Sequence, residues 1–257
     1  MDPATGPEPV AFASASGAVA HVFADDLADA VLIDGEDGHH LQRVRRIRVG
    51  ERVTVSDGFG RWRPYDVVTS DRGSLVLASA GSSAREPRLT PGLAVAFALS
   101  KGTKPEHVVA GLTELGVDRI VPFRSARSVV RWEGDRARSA TVRLQRVARE
   151  AAMQCRRSWL PLVDEPVGFA ALGTPGAVVV GDPAGLPAGD LPLPVGGAWL
   201  AVVGAEGGLD PAERADLTSR PGAVLVAVGP HVLRTETAAL AVAAALAGRR
   251  TVANDGH

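Results

Sequence analysis

Residues 199–210 read WLAVVGAEGGLD, and residues 224–237 read VLVAVGPHVLRTET. Each stretch opens with consecutive apolar residues ending in glycine, the pattern of a strand buried on both faces. In the first, Trp199 to Gly204 runs into Ala205-Glu206-Gly207-Gly208-Leu209-Asp210. Consecutive glycines after a strand let backbone amides and carbonyls approach a ligand closely. In the second, Val224 to Gly229 leads into Pro230 to Thr237 and then a run of small residues reaching Gly248. Two such strand-to-loop edges side by side predict a crevice at the carboxyl ends of a parallel sheet, where open α/β sheets bind ligands.

Working outward, further buried-strand runs fall at Val95–Leu99, Arg119–Phe123 and Ala177–Gly181, with helical patterns between most of them. Strands alternating with helices imply a mostly parallel α/β sheet. Thr103-Lys104-Pro105-Glu106 reads as a capping box with proline at the first helical position, and Gly116 as the stop. Asp210-Pro211-Ala212-Glu213 repeats the device with Asp as the cap. A third helix, about Arg136 to Arg157, carries Ala140, Leu144, Val147, Ala151 and Cys155 on one stripe, with Arg146, Arg149, Arg156 and Arg157 opposite.

The first part of the chain has a different rhythm. Short strand patterns at Ala20–Phe23, Val31–Asp34, Arg52–Ser56, Trp62–Thr69 and Leu75–Ser79 are separated by turns such as Asp57-Gly58. A helical piece from about His39 to Ile47 interrupts them, and the whole has the look of a small β-barrel. The expected organisation is a loose Ala- and Pro-rich extension over 1–17, a β-barrel over 18–80, a linker over 81–92 and an α/β domain over 93–250.

Net charge is −1, yet charge is segregated. From His39 to Arg63 there are seven Arg and two acids; from Arg119 to Arg157, eleven Arg and three acids. From Asp164 to Arg220 there are eight acids and two Arg. Such segregation can hold a polyanion on one surface despite overall neutrality, although an Arg-rich solvated face gives the same count. Other chemistries lack their signatures. There is no G-x-G-x-x-G opening a helix, no phosphate loop and no G-x-S-x-G elbow, and the His residues are not spaced as metal ligands, so no metal is expected. The single cysteine, Cys155, rules out an internal disulfide, and no apolar run is long enough to span a membrane. With no leader pattern at the start, a cytoplasmic location is expected. Trp132 and Trp159 read as core residues in preference to base-stacking platforms.

The string VLRTETAAL after a strand ending in Gly resembles the C-terminal signature of the RsmE family of 16S ribosomal RNA (uridine-N3) methyltransferases, members of the SPOUT superfamily. Val203 to Gly208 resembles that family's glycine loop, with Ala205 where proline is common. Ser100-Lys101-Gly102-Thr103-Lys104 through Glu114-Leu115-Gly116-Val117 is similar to its first strand-helix unit. His39 to Arg45 and Glu150 to Arg157 match further segments, with Met153 where relatives often carry Glu. The likeness runs from about Ala20 to Arg250.

The resemblance implies an α/β SPOUT domain with a mostly parallel sheet and a trefoil knot, preceded by a PUA-like β-barrel and working as a homodimer. It implies S-adenosylmethionine as cofactor and 16S rRNA of the small ribosomal subunit as partner, with methylation at N3 of uridine 1498. By the same resemblance Gly204, Glu206, Gly207, Gly208, Gly229, Val232, Leu233, Arg234, Thr235 and Thr237 hold the cofactor, and Arg234 and Glu236 are the candidate catalytic residues. His39, His40, Arg43, Arg45, Arg46, Lys101, Lys104, Arg149, Arg156 and Arg157 are the candidate RNA contacts. Read as residues alone, Glu206 also suits a loop-ordering acceptor, Arg234 an ion pair with Glu236, and Thr235 a helix cap. Two rival functions stay open at this point: a ribosome-assembly RNA-binding factor with a vestigial cofactor pocket, and methylation of a ribose 2′-oxygen.

Overall fold

The computed structural model describes residue 13 and residues 16–43, 46–71, 73–101, 104–130, 132–173, 176–194 and 197–252. Most of the expected extension over 1–17 therefore lies outside the described residues. The chain forms two compact units, one of residues 1–88 and 152–160, the other of residues 89–151 and 161–257.

The first unit contains β1 (Ala20–Phe23), β2 (Ala30–Ile33), α1 (Gly35–Arg43), β3 (Arg52–Ser56), β4 (Arg61–Asp71), β5 (Ser74–Ser79) and β6 (Ala84–Arg85). The sheet runs β1-β3-β4-β5-β2, with β6 beside β4. Only β1 and β3 are parallel; the other pairs are antiparallel. Side chains two apart share a face, so Val53 and Val55, Tyr65 and Val67, and Leu75 and Leu77 all enter one core. The Tyr65 hydroxyl reaches out of it to donate to the Ala28 carbonyl at 2.7 Å. Met153 packs against this same core. Helix α1 begins four residues before the expected segment, with Glu36 and Asp37 in its first turn, where acids suit the dipole. Ile47 is buried outside the helix, its N–H donating to the Leu41 carbonyl at 3.2 Å.

The stretch read as a linker, 81–92, is structured chain. Ala84–Arg85 pairs with β4, and Leu89–Thr90 forms β7, paired with the C-terminal strand. Strands of two residues, one apolar and one polar, are too short to show a periodicity, so nothing in the composition announces them.

The second unit continues with β8 (Gly92–Ala98), α2 (Lys104–Glu114), β9 (Arg119–Arg124), α3 (Gly134–Cys155, whose end from Ala152 on belongs to the first unit), β10 (Leu162–Val163), β11 (Val167–Gly168), β12 (Ala177–Pro187), β13 (Ala198–Val203), α4 (Pro211–Ser219), β14 (Val224–Ala227), α5 (Thr235–Ala247) and β15 (Thr251–Val252). Helix α3 ends at Cys155, so Arg156 and Arg157 follow the helix instead of lying on its outer face; Arg156 takes a left-handed conformation with φ +60. The main sheet, β10-β9-β8-β13-β12-β14, is parallel throughout. Its inner strands are covered on both faces. Phe97, Ile120 and Trp199 pack with Leu112 of α2, Leu144 of α3 and Val242 of α5, while Ala96, Phe123, Val180 and Val202 pack with Leu217 of α4. Truncating a fully buried aromatic such as Phe97 typically costs about 3–5 kcal/mol.

Arg250 anchors the C-terminal end of this unit. Its side chain is 1% exposed and pairs with Asp118 at 2.5 Å. It also donates to the carbonyls of Pro91, Gly116 and Leu89 at 2.7–3.0 Å.

Candidate active site

The two glycine-ended strands are not neighbours. β12 lies between β13 and β14, so the loops after Val203 and Ala227 flank it on either side. Its pairing with β14 shifts register between Gly181 and Leu186, which takes the segment 182–185 out of the ladder. The result is a cavity of about 390 Å³ at the carboxyl ends of three strands. One side is apolar, with Val203, Leu209, Val226, Val232, Leu233 and Val242; the polar lining includes Arg127, Asp182, Glu206 and Arg214. An apolar cleft of this size with a few converging polar groups suits an amphipathic small molecule.

Gly204 shapes the first wall. A β-carbon there would stand 2.7 Å from the Leu209 nitrogen and 2.8 Å from the Gly208 carbonyl carbon, backbone atoms that cannot swing aside. The loop turns tightly after it: the Gly208 N–H donates to the Ala205 carbonyl at 2.8 Å, and Gly208 has φ +75. Ala205 is buried and makes this bridge, so the turn forms without the proline common at that position. Arg127 donates to the Gly207 carbonyl from outside the loop.

Thr235 ties the second wall to the first. It is the first residue of α5, is 2% exposed, and its hydroxyl donates to the Gly204 carbonyl at 3.1 Å. The cap position belongs to Arg234, whose side chain makes no capping hydrogen bond, so the capping role considered for Thr235 does not apply.

A lysine links two acids. Lys104 Nζ lies 3.0 Å from Glu206 Oε1 and 3.6 Å from Glu236 Oε1. The Glu206 carboxyl is held below its ordinary value by its own backbone N–H and by Lys104, against a smaller opposing effect of burial. The hydrogen bond to Glu206 correspondingly raises Lys104. Glu236 is thus paired with Lys104, and its second oxygen is buried with no hydrogen-bond partner among the described residues.

The expected cofactor residues Gly204, Glu206, Gly207, Gly208, Gly229, Val232, Leu233 and Thr235 all line the cavity. Arg234 and Thr237 do not. Arg234 is exposed, while Glu236 and Thr237 face a separate cavity between α2 and α5. The sequence reading missed Arg127, Asp182 and Arg214. Arg214 Nε donates to Asp182 Oδ2 at 2.6 Å, and the Ala184 N–H donates to Oδ1 at 2.9 Å. Burial pushes the Asp182 carboxyl up, but these two bonds outweigh it and hold the group ionised below its ordinary value. An acid directly after Gly181, the last residue of the apolar run read as a strand, was the available signal.

The expected RNA contacts fall on both units. His39, His40 and Arg46 are exposed on the first, where the His39 ring covers Gly73. Arg45 and the side chain of Arg43 lie outside the described residues. On the second unit Lys101 is exposed, beside Trp132 and Arg136, and Arg149 is half-buried. Arg156 and Arg157, half-buried, belong to the first unit. No helix is long and apolar enough to cross a membrane, and no group of three potential metal ligands occurs among the described residues.

Residues 88–247 match the family model of an RNA methyltransferase domain, and residues 33–78 that of an RNA methyltransferase PUA domain. The chain is 35% identical over 234 residues to ribosomal RNA small subunit methyltransferase E of Mycobacterium bovis, covering 84% of this chain and 87% of the relative. The protein of the same name from Bacillus subtilis is 34% identical over 222 residues, covering 81% and 86%. In structure the chain is similar to ribosomal RNA small subunit methyltransferase E from Neisseria gonorrhoeae bound to S-adenosyl methionine. The TM-score is 0.76 at 25% identity, covering 88% of this chain and 96% of that one.

Proposed function

The chain belongs to the family of ribosomal RNA small subunit methyltransferase E, and from that premise we propose that it methylates N3 of a uridine in 16S ribosomal RNA, using S-adenosylmethionine. The observation that carries this reading is the cavity closed by the Gly204–Leu209 loop, the Gly229–Leu233 loop and the segment after Gly181.

The lining fits the cofactor by its chemistry. Leu233, Val232 and Val226 offer an apolar wall for a purine, and the ionised Asp182 carboxylate offers an acceptor for ribose hydroxyls. Exposed glycine backbone at 207 and 208 supplies close polar contacts without side-chain bulk. When bound, S-adenosylmethionine supplies a methyl group on a positively charged sulfonium, an electrophile that needs no activation by the protein.

The chain's own task is to align the uridine and lower the cost of removing its N3 proton. Alignment alone can contribute several kcal/mol. Arg234 stands between two cavity-lining residues, Leu233 and Thr235, with its exposed side chain available to stabilise a uracil anion. Glu236, a candidate proton acceptor from the sequence, is directed to Lys104, so in this reading it positions Lys104 and Glu206. N3 lies on the pairing edge, so the target base must be unpaired or extruded.

In the same reading the second unit is threaded as a trefoil knot, the chain acts as a homodimer, and it works in the cytoplasm on the small ribosomal subunit. The Thr235–Gly204 hydrogen bond supports the threading by joining the two loops concerned. The PUA-like unit holds RNA through His39, His40, Arg43, Arg45 and Arg46, while Lys101, Arg149, Arg156 and Arg157 add phosphate contacts.

The test is transfer of labelled methyl groups from S-adenosylmethionine to purified small subunits that lack the modification, followed by nucleoside analysis. Label in 3-methyluridine is expected. Label in a 2′-O-methylated nucleoside, or cofactor binding without any transfer to 16S RNA, would overturn the reading.

A further inference from the structure

The tip of the β3–β4 turn is built in a way that the methyl-transfer site does not explain. Phe59 is 71% exposed and is the only aromatic among the strongly exposed large hydrophobic residues described. Flexible loops often carry such a residue, but this turn is held rigidly. The Asp57 carboxylate accepts from the N–H groups of Phe59 and Arg61 at 2.7 and 3.1 Å. The Gly60 N–H donates to the Ser158 carbonyl at 3.2 Å, and the Leu160 N–H donates to the Gly58 carbonyl at 2.9 Å. Gly60, with φ +90, lies so close to Trp159 that a β-carbon would stand 2.2 Å from the indole.

The same indole gathers positive charge beside Phe59. The guanidinium carbons of Arg88 and Arg85 lie 3.5 and 5.1 Å from the Trp159 ring centroid. Arg61 faces Arg85 across the β4–β6 ladder. Arg61, Arg85 and Arg88 are exposed, whereas the nearby Glu86 is buried, accepting from the Ser158 N–H at 3.1 Å. An exposed aromatic on a rigid turn, next to an indole that gathers arginines, matches a nucleobase flanked by phosphates.

We propose that the β3–β4 turn is a single-stranded RNA platform, with Phe59 stacking on one base while Arg61, Arg85 and Arg88 take the neighbouring phosphates. The proposal rests on the reading that the substrate is RNA, and adds a point of attachment on the first unit that belongs to no residue of the cavity. Charge complementarity favours RNA over an apolar protein groove.

The test uses the full chain and a fluorescein-labelled single-stranded RNA of about 12 nucleotides, read by anisotropy across a salt series. Phe59→Ala should weaken binding about tenfold, and Phe59→Trp should retain it. Arg85→Ala and Arg88→Ala should each lower the slope of log affinity against log salt by about 0.7. Equal binding by the parent and Phe59→Ala would overturn this proposal alone. Failure of the parent to bind any RNA would overturn it together with the RNA-substrate reading. If Phe59→Ala bound the oligonucleotide normally yet lost affinity for intact small subunits, the turn would contact a ribosomal protein instead, and the proposal would fall.

Discussion

Lys104 Nζ lies 3.0 Å from Glu206 Oε1, joining the first turn of α2 to the glycine loop after β13. Through the same nitrogen it reaches Glu236 of α5 at 3.6 Å, so one cation fixes two elements around the cavity. Replacing it leaves two carboxylates without their shared counter-charge. Lys104→Met is expected to weaken S-adenosylmethionine binding about twofold to fivefold, a modest loss because the bridge is partly solvated. Lys104→Arg should recover most of it. Titration calorimetry reads both.

The direction of the Glu206 shift fixes a pH dependence. A carboxyl held lower in the folded chain stabilises it fully above the unfolded value of about 4.3, and that contribution disappears as pH falls through the lower folded value. The difference in urea midpoint between the parent and Glu206→Gln should therefore stay constant from about pH 8 to pH 5 and shrink only in more acid solution. A difference that grew with acidity would contradict the assignment.

Thr235 is the one side-chain hydroxyl that bonds the Gly204 carbonyl among the described residues. Thr235→Val keeps the shape, removes the donor and leaves a buried acceptor unmatched. A loss of about 1–3 kcal/mol is expected. Thermal unfolding should show a lower midpoint, with cofactor affinity reduced in parallel; Thr235→Ser should restore both.

Arg250 carries a larger stake, because its buried guanidinium serves Asp118 and three carbonyls at once. Arg250→Met takes the shared guanidinium from these three carbonyls and removes the buried counter-charge of Asp118, whose carboxylate still accepts from the Leu93 N–H at 2.8 Å. The expected cost is about 3–5 kcal/mol, measured by chemical denaturation. Since Arg250 touches no wall of the cavity, cofactor affinity of the folded fraction should stay near that of the parent.

The sequence showed the parallel sheet readily because Val95–Leu99, Trp199–Val203 and Val224–Val228 are apolar without alternation, as strands covered on both faces must be. The glycine loops were legible for a related reason: Gly204 and Gly208 follow or turn away from a strand where backbone crowding or a positive φ requires glycine. Strand order was not legible. Nothing in residues 177–187 tells that this strand inserts between the two glycine-ended strands, or that its register shift brings Asp182 to the cavity. Glu236 was visible as a carboxylate in a motif, but its partner Lys104 sits in a distant helix that only the fold brings near. The short β7–β15 pairing is set by long-range backbone contacts, not by local pattern.

The central claim is that this cavity serves uridine N3 methylation of 16S RNA, and it is tested most directly in cells. Nucleosides from 16S RNA of a strain lacking this gene would be quantified by mass spectrometry, with and without complementation. The account predicts that 3-methyluridine is missing without the gene, returns with the parent chain, and stays missing with Gly204→Ala, whose added carbon collides with the loop backbone. Unchanged 3-methyluridine in the deletion strain, or full restoration by Gly204→Ala, would contradict it.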